Sequence, residues 1–167
     1  MAIRRAESES KTRKRLSPDV AFVRISRYCA YQERSHKEVR QKLFSYGLFP
    51  SEVEKAIAKL ITDGFLNEER FAKAFAGGKF RMQKWGRHKI TKALEMHGLS
   101  QRCIQRGLQE IDKPAYSKTL LLLLSRKMES LKESNLFKAR QKAATYAIGK
   151  GYEPELVWEL LRGMSEE

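Results

Sequence analysis

The sequence predicts an all-α protein built from three tandem copies of a three-helix unit, forming an elongated or curved array. Apolar residues recur at helical spacing along nearly the whole chain, and no stretch shows the alternation expected of a β-strand. Three glycines, Gly47, Gly98 and Gly151, lie 51 and 53 residues apart and have the same apolar pattern around them. A chain of 167 residues is long enough to bury a core of this kind.

The repeat is defined by six apolar columns that keep register with these glycines. Apolar side chains precede each glycine by eight and four residues, and follow it after one, six, ten and thirteen. The columns are Val39, Leu43, Leu48, Val53, Ile57 and Leu60 in the first copy; Ile90, Leu94, Leu99, Ile104, Leu108 and Ile111 in the second; and Ala143, Ala147, Tyr152, Val157, Leu161 and Met164 in the third. Six columns in register are not expected by chance, so the chain contains an internal repeat.

Each copy is predicted to hold three helices. The second helix ends at the marker glycine, because glycine adopts the left-handed conformation that satisfies the last carbonyls of a helix. A third helix then packs against the second, and a further helix precedes this pair. These first helices are expected at roughly 19–31, 68–82 and 115–131. The three copies are expected to occupy residues 17–66, 67–111 and 112–167.

Three local features complete the prediction of secondary structure. Residues 1–16 are polar, charged and unpatterned, which is typical of a disordered basic tail. Ser51 and Glu54 have the spacing of an N-terminal capping box, so a helix is expected to begin there, after Pro50. The pair Gly77-Gly78 lies inside a helical pattern, where it indicates a kink or a break of the helix.

The net charge of +14 is distributed unevenly. Residues 79–94 hold six basic residues and no acidic one, and residues 126–142 hold six basic and two acidic ones. Residues 151–167 reverse the balance, with one basic and five acidic residues. A cationic body with an acidic end favours contact with a polyanion, most simply nucleic acid, although a basic surface that is merely solvated is the alternative.

Several classes of protein are disfavoured by the sequence. No apolar run approaches the roughly 20 residues of a membrane span, and no apolar stretch follows the cationic N-terminus as in a signal peptide, so we expect a soluble intracellular protein. No motif of a metal site, a phosphate-binding loop or a nucleophile elbow is present, so neither catalysis nor a cofactor is expected. Cys29 and Cys103 stand apart in helical stretches and are expected to be buried free thiols, with a disulfide or a metal site as the alternatives.

One cluster of residues indicates a binding surface. It lies at the joint between the first and second helices of the middle copy, and its members are basic apart from one tryptophan. They are Lys79, Arg81, Lys84, Trp85, Arg87, Lys89 and Lys92. Because Ile90 and Leu94 face the core, the basic side chains are free to form a continuous cationic surface that contacts a polyanion or an acidic partner. Trp85 can either stack on a base or pack against a neighbouring helix.

Three stretches of the chain also resemble a known family. Gly64–Ala72 has a glycine, an apolar pair, an acidic turn and then Arg-Phe-Ala, and Ser35–Leu43 has the Ser-x-x-Glu-apolar-x-x-Lys-Leu pattern of a first-repeat helix. Trp85–Gly98 is similar to the pattern of the middle repeat. These are features of RecX, the family of regulators of the RecA recombinase, and the likeness extends from Pro18 to Arg162.

The resemblance implies a function that the residues alone do not. A member would be a bacterial cytoplasmic protein that binds the RecA–DNA filament and limits its growth or its activity, thereby modulating DNA repair and recombination. Its partners would be RecA and the DNA phosphates, without a cofactor, catalysis or a membrane, and we expect a monomer because the repeat can close its own core. A stand-alone DNA- or RNA-binding protein and a helical-repeat adaptor for a peptide or helix are the alternatives.

Overall fold

The apolar periodicity corresponds to nine α-helices and no strand in residues 14–164, the part of the chain that this computed structural model describes. The helices are α1 Pro18–Tyr31, α2 His36–Ser45, α3 Pro50–Thr62, α4 Glu68–Gln83, α5 Arg87–Met96, α6 Gln101–Leu108, α7 Lys113–Ser130, α8 Leu136–Gly149 and α9 Pro154–Gly163. The helices pack within consecutive groups of three, α1–α3, α4–α6 and α7–α9. The predicted all-helical fold of three tandem three-helix units is confirmed.

The marker glycines end the second helix of each unit, as expected. Gly47, Gly98 and Gly151 have φ angles of 85°, 78° and 101°, in the left-handed region where a side chain is strained. The six apolar columns are buried throughout except at Leu108 and Met164, which pack against the core at its margin. The glycine turn therefore fixes where helices two and three of a unit face each other.

The three units have two hydrophobic cores between them, not three. The first unit has a core of its own, which extends from Ala21 to Leu66. The second and third units share one core. Three aromatic rings connect them: the ring centroids of Phe80 and Tyr116 are 5.8 Å apart, and those of Tyr116 and Tyr152 are 5.0 Å apart. The second and third units therefore form one packed body, whereas the first unit keeps a separate core.

At the junction between the second and third units, the turn between α4 and α5 contacts the glycine turn between α8 and α9. The amide of Gly86 donates to the carbonyl of Lys150 at 2.9 Å, and the amide of His88 donates to the carbonyl of Gly151 at 2.9 Å. A Cβ atom on Gly86 would lie 2.2 Å from the carbonyl carbon of Gly151, so only glycine permits this approach. The turn that precedes α5 is thus seated on the glycine turn of the next unit.

The first and second units meet through the corresponding turns, but the contacts are polar. Ser35 Oγ lies 3.1 Å from His97 Nδ1, and Lys37 Nζ donates to the carbonyl of Met96 at 2.8 Å. Ion pairs join the same two units beside these contacts: His36 Nδ1 is 3.2 Å from Glu68 Oε1, and Arg70 Nε is 2.5 Å from Glu33 Oε1. Within residues 14–164 no cluster of buried apolar residues spans this junction, because the two cores are separate.

The glycine turn of the first unit is covered by residues that precede α1. The amide of Leu16 donates a hydrogen bond to the carbonyl of Tyr46 at 2.9 Å, and Arg15 Nε donates one to the carbonyl of Gly47 at 3.0 Å. The Arg15 guanidinium lies 4.1 Å from the ring centroid of Phe49 and pairs with Glu52. Arg15 and Leu16 were expected in the disordered tail of residues 1–16 but pack on the first unit, whereas residues 1–13 of that tail lie outside the described residues.

The predicted break at Gly77-Gly78 and the predicted cap at Ser51 were wrong. Helix α4 passes through Gly77 and Gly78 without a break, because its packing against α6 outweighs a cost of about 1 kcal/mol for each glycine. The predicted cap at Ser51 is absent, since α3 begins at Pro50 with Phe49 at the N-cap. A capping box is found instead at Ser35, whose hydroxyl accepts from the amide of Glu38 at 3.2 Å.

The cysteines differ in their environments. Both are free thiols, and Cys29 is buried in the core of the first unit. Cys103 is only half-buried, at the edge of the shared core, so the prediction of burial holds fully for Cys29 alone.

Candidate nucleic-acid interface

The predicted cluster surrounds the end of α4 and the start of α5. Helix α4 ends at Gln83, and the residue that caps it, Lys84, has a φ of 58° in the left-handed region. Two contacts hold this residue: its Nζ donates to the carbonyl of Arg81 at 2.8 Å, and its own carbonyl accepts from the hydroxyl of Tyr152 at 2.8 Å. The third unit therefore helps to fix the backbone on which the cluster is built.

Trp85 is half-buried and packs against the shared core. The ammonium groups of Lys79 and Lys89 lie 4.8 Å and 4.6 Å from the centroid of its ring, within the range of cation–π attraction. Of the two roles considered for Trp85, this geometry favours packing over the stacking of a base. The ring holds two lysine side chains in place beside the joint.

Arg87 is engaged within the protein. Its Nη1 lies 3.3 Å from Glu153 Oε1, and its guanidinium lies 3.9 Å from the ring centroid of Tyr116. Tyr116 accepts from the Arg87 amide at 3.0 Å and donates to Glu153 at 2.7 Å. Burial raises the pKa of Tyr116, as does the neighbouring Glu153, so the phenol stays protonated. Arg87 thus stabilises the junction of the second and third units, and does not have the freedom expected of it.

The other basic members of the cluster are available for a ligand. Arg81, Lys84 and Lys92 are exposed, and Lys79 and Lys89 are half-buried beside Trp85. None of these five side chains is within 4.0 Å of a carboxylate in residues 14–164. The cluster therefore keeps its positive charge uncompensated at the surface.

The structure adds a second basic region that the sequence did not connect to the first. A groove of about 560 Å³ lies between the end of α4 and the helices α7 and α8. A second hollow, of about 610 Å³, shares Lys127 and Tyr146 with it and continues along the same two helices. We call these two hollows together the α7–α8 groove. Its cationic lining consists of Lys84, Arg126, Lys127, Lys138, Lys142 and Lys150.

The charge of the α7–α8 groove is almost unopposed. No carboxylate lines either hollow, and Lys142 alone of its cations has an acidic partner among the described residues. Lys142 Nζ lies 3.1 Å from Glu133 Oε2, and this contact lowers the pKa of Glu133. The basic run of residues 126–142 was visible in the sequence, but its meeting with Lys84 and Lys150 depends on how the third unit packs against α4.

Comparison with known proteins identifies each unit in turn. Models of the RecX family match the chain in order: the first three-helix domain matches residues 21–60, the second residues 67–108 and the third residues 116–161. The chain belongs to the RecX family. The three matches lie within the three units of the structure, so the repeat found in the sequence is the domain series of RecX.

Bacterial relatives of the chain are named Regulatory protein RecX. The chain is 30% identical over 134 residues to the Regulatory protein RecX of Clostridium perfringens (strain 13 / Type A), covering 79% of this chain and 62% of the relative. It is 24% identical over 147 residues to the Regulatory protein RecX of Bacillus cytotoxicus, covering 88% of this chain and 54% of the relative. The chain therefore spans between about half and two thirds of the length of these relatives.

Solved RecX structures share the fold. The crystal structure of RecX from Lactobacillus salivarius has a TM-score of 0.81 at 17% identity, covering 90% of this chain and 97% of that one. Another crystal structure, of regulatory protein RecX, has a TM-score of 0.78 at 18% identity, covering 87% of this chain and 73% of that one. At this identity the likeness concerns the fold, and the basic surfaces described above are those of this chain.

Within residues 14–164, no group of three or more histidine, cysteine, aspartate or glutamate side chains is placed to hold a metal ion. No helix in this part of the chain is both long and apolar enough to span a membrane.

Proposed function

We propose that this protein is a non-catalytic cytoplasmic regulator, mainly an inhibitor, of the RecA recombinase. It binds the RecA–DNA filament as a monomer and limits the growth of the filament or its ATPase and strand-exchange activity. Recombination and DNA repair are modulated as a result. The observation that carries the proposal is the membership of all three units in the RecX family, whose named relatives are regulatory proteins.

The cationic surfaces support a filament as the target. The predicted cluster and the α7–α8 groove meet at Lys84, so uncompensated positive charge extends from the second unit onto the third. A filament offers DNA phosphates and repeated protein surfaces along one direction. Several weak contacts made by one chain with such a target reinforce each other, because the first contact raises the effective concentration of the others.

The decisive experiment measures the single-stranded-DNA-dependent ATPase of the host RecA with added protein, at two salt concentrations. Binding of the protein to the same DNA without RecA is measured in parallel. We expect the ATPase to fall at protein concentrations well below those that saturate the DNA. If the ATPase falls only when the DNA is coated, the protein is a stand-alone nucleic-acid binder and the proposal is wrong.

A charge-reversed variant tests the surface in the same assay. Arg81, Lys84 and Lys92 are exposed, and changing all three to glutamate should abolish or strongly weaken suppression of the ATPase. The matched control changes Lys55, Arg102 and Arg106 to glutamate; these are also exposed and unpaired with carboxylates in residues 14–164. Each surface change should alter stability by less than about 0.5 kcal/mol. Equal loss in both variants would indicate a dependence on net charge alone.

The alternative of a helical-repeat adaptor makes a different prediction about salt. A peptide or helix bound through apolar contacts releases few counterions, so its affinity would be nearly independent of salt concentration. Suppression of the ATPase that weakens steeply as salt rises would exclude this alternative.

A further inference from the structure

We propose that the α7–α8 groove binds a single strand of nucleic acid, with phosphates on its lysines and arginine and an unpaired base stacked on Tyr146. The inference deepens the proposed function, on which it rests for the presence of DNA. It adds that the third unit contacts DNA directly and prefers a single strand to a duplex. The binding it predicts takes place without RecA, so it can be tested separately.

The charges of the groove fit a phosphate chain. The ammonium groups of Lys84 and Lys150 each donate a hydrogen bond to a carbonyl at the end of α4, at 2.8 Å and 3.1 Å. A carbonyl is neutral overall, so these contacts position the ammonium groups without cancelling their charge. Arg126 is exposed beside them on α7. Phosphates that bind here would release counterions, which favours association at low salt.

The aromatic ring lies where the two hollows join. Tyr146 lines both of them, and 40% of its surface is exposed. The ammonium group of Lys127 lies over the ring, 4.7 Å from its centroid, and holds the ring by cation–π attraction. An exposed ring between cations is the arrangement by which proteins stack the bases of a single strand. Trp85 differs, because it is half-buried against the core and has two lysines beside it.

The preference for a single strand follows from this ring. A base reaches an aromatic face only when it is unpaired and unstacked, whereas a duplex presents its phosphates and hides its base faces. Neutral groups of Thr119, Ser130, Gln141 and Thr145 also line the groove and can bond base edges or sugars. An acidic protein segment would meet the same cations but would gain nothing from Tyr146 as a stacking platform.

The test is fluorescence anisotropy with a labelled oligothymidine and with a duplex of equal length, at several salt concentrations and without RecA. Tyr146→Ala should weaken single-strand binding by roughly tenfold, since stacking contributes about 1–3 kcal/mol per base. Tyr146→Phe keeps a ring and should bind like the unchanged protein. Binding of the duplex should change little in either variant. A Tyr146→Ala protein with normal helicity and unchanged single-strand affinity would overturn the proposal.

Charge reversal in the groove provides a second test of the strand site. Arg126→Glu with Lys127→Glu should weaken single-strand binding and reduce the slope of log affinity against log salt by about 1 or more, because two phosphate contacts are lost. Lys55→Glu with Arg102→Glu changes the net charge equally but lies outside the groove, and should have a much smaller effect. Equal effects of the two pairs would exclude a defined strand site.

The two proposals fail in different ways. If the unchanged protein suppresses the RecA ATPase but binds no oligothymidine, the strand site is wrong and the regulatory function stands. If it binds oligothymidine through Tyr146 but does not affect the ATPase, the strand site stands and the regulatory function is wrong.

Discussion

Cys29 is an example of a single residue whose chemistry is set by burial. It lies in the core of the first unit with 6% of its surface exposed. Burial raises the pKa of its thiol from the ordinary 9.0 to about 11, and the nearby carboxylate of Glu33 acts in the same direction while the guanidinium of Arg34 opposes it. The thiol therefore stays protonated, and is a poor nucleophile, at any physiological pH.

This shift predicts a loss of stability in alkali. Between pH 9 and pH 11 the unfolded chain loses the thiol proton while the folded protein keeps it, so the free energy of unfolding falls as the pH rises. The full contribution is about 2–3 kcal/mol. Urea unfolding at pH 8 and pH 10.5 should show a smaller decrease for Cys29→Ala than for the unchanged protein.

Cys103→Ala is the control, since it removes the half-buried thiol and should keep the full decrease. Tyr152, whose pKa burial raises to about 12, adds a decrease above pH 10 that both variants retain. An unchanged pH dependence in Cys29→Ala would show that this thiol does not contribute.

Residues also differ in how far the sequence predicts them. The left-handed turn at Gly47 is predictable because it depends on the glycine itself and on the helix that it ends. The engagement of Arg87 is not, because Glu153 and Tyr116, which hold it, are distant in the sequence and carry no shared motif. A basic residue in a basic stretch therefore gives no sign of whether it is free or paired.

At the scale of elements, the segment before α1 behaves as a substitute for a neighbouring unit. Leu16 donates to the residue before Gly47, just as Gly86 donates to the residue before Gly151, each at 2.9 Å. Arg15 contacts Phe49, and Arg87 contacts Glu153; both partners come two residues after the glycine. The first unit is thereby covered at the position where the third unit is covered by the second.

Removing this contact should destabilise the first unit. Arg15→Ala loses a hydrogen bond, an ion pair and a cation–π contact at a partly exposed site, so we expect a loss of about 1–2 kcal/mol. Urea unfolding followed by circular dichroism measures the change. Lys14→Ala removes a neighbouring exposed cation and should leave the curve unaltered. If both variants unfold alike, Arg15 does not stabilise the first unit.

The elements themselves were largely predictable, with exceptions that have physical causes. The nine helices of the described part of the chain follow from helical periodicity and the repeat, because local spacing determines which face is apolar. The continuity of α4 through Gly77 was not predictable, since it depends on packing against α6, where Gly107 lets the two helices approach. A Cβ on Gly107 would lie 2.7 Å from the carbonyl oxygen of Ala72.

At the scale of the whole molecule, the three similar units form two bodies. The second and third share a core that contains tilted aromatic ring pairs, while the first meets the second through polar contacts and ion pairs. Ion pairs between partly exposed side chains contribute little net stability, whereas a shared core links the stability of both partners. The first unit should therefore unfold separately from the other two.

Two equivalent core residues test this division. Leu43→Ala and Leu94→Ala each leave a cavity at a fully buried position, which costs roughly 2–5 kcal/mol. Both tryptophans, Trp85 and Trp158, pack against the shared core, so their fluorescence reports on that body alone. Leu43→Ala should lower the midpoint seen by circular dichroism and leave the fluorescence midpoint unchanged, whereas Leu94→Ala should lower both. Equal fluorescence shifts would mean that the three units unfold together.

The candidate site was predictable in part at this scale. The sequence located a basic cluster at the joint of α4 and α5, but not the α7–α8 groove, one hollow of which lies where Lys84 meets the third unit. Charge along the chain was sufficient to find each basic stretch. Whether two basic stretches form one surface depends on tertiary packing.

The cover over Gly47 has a consequence for protein engineering. Leu16 bonds the carbonyl before Gly47 as Gly86 of the second unit bonds the carbonyl before Gly151 of the third, so the start of α1 is a natural point of chain extension. Replacing Arg15 and Leu16 with a further three-helix unit, whose joint between its first and second helices has a glycine in the place that Gly86 holds, would lengthen the array. The number of units, and with it the length of the array, would then become an adjustable property.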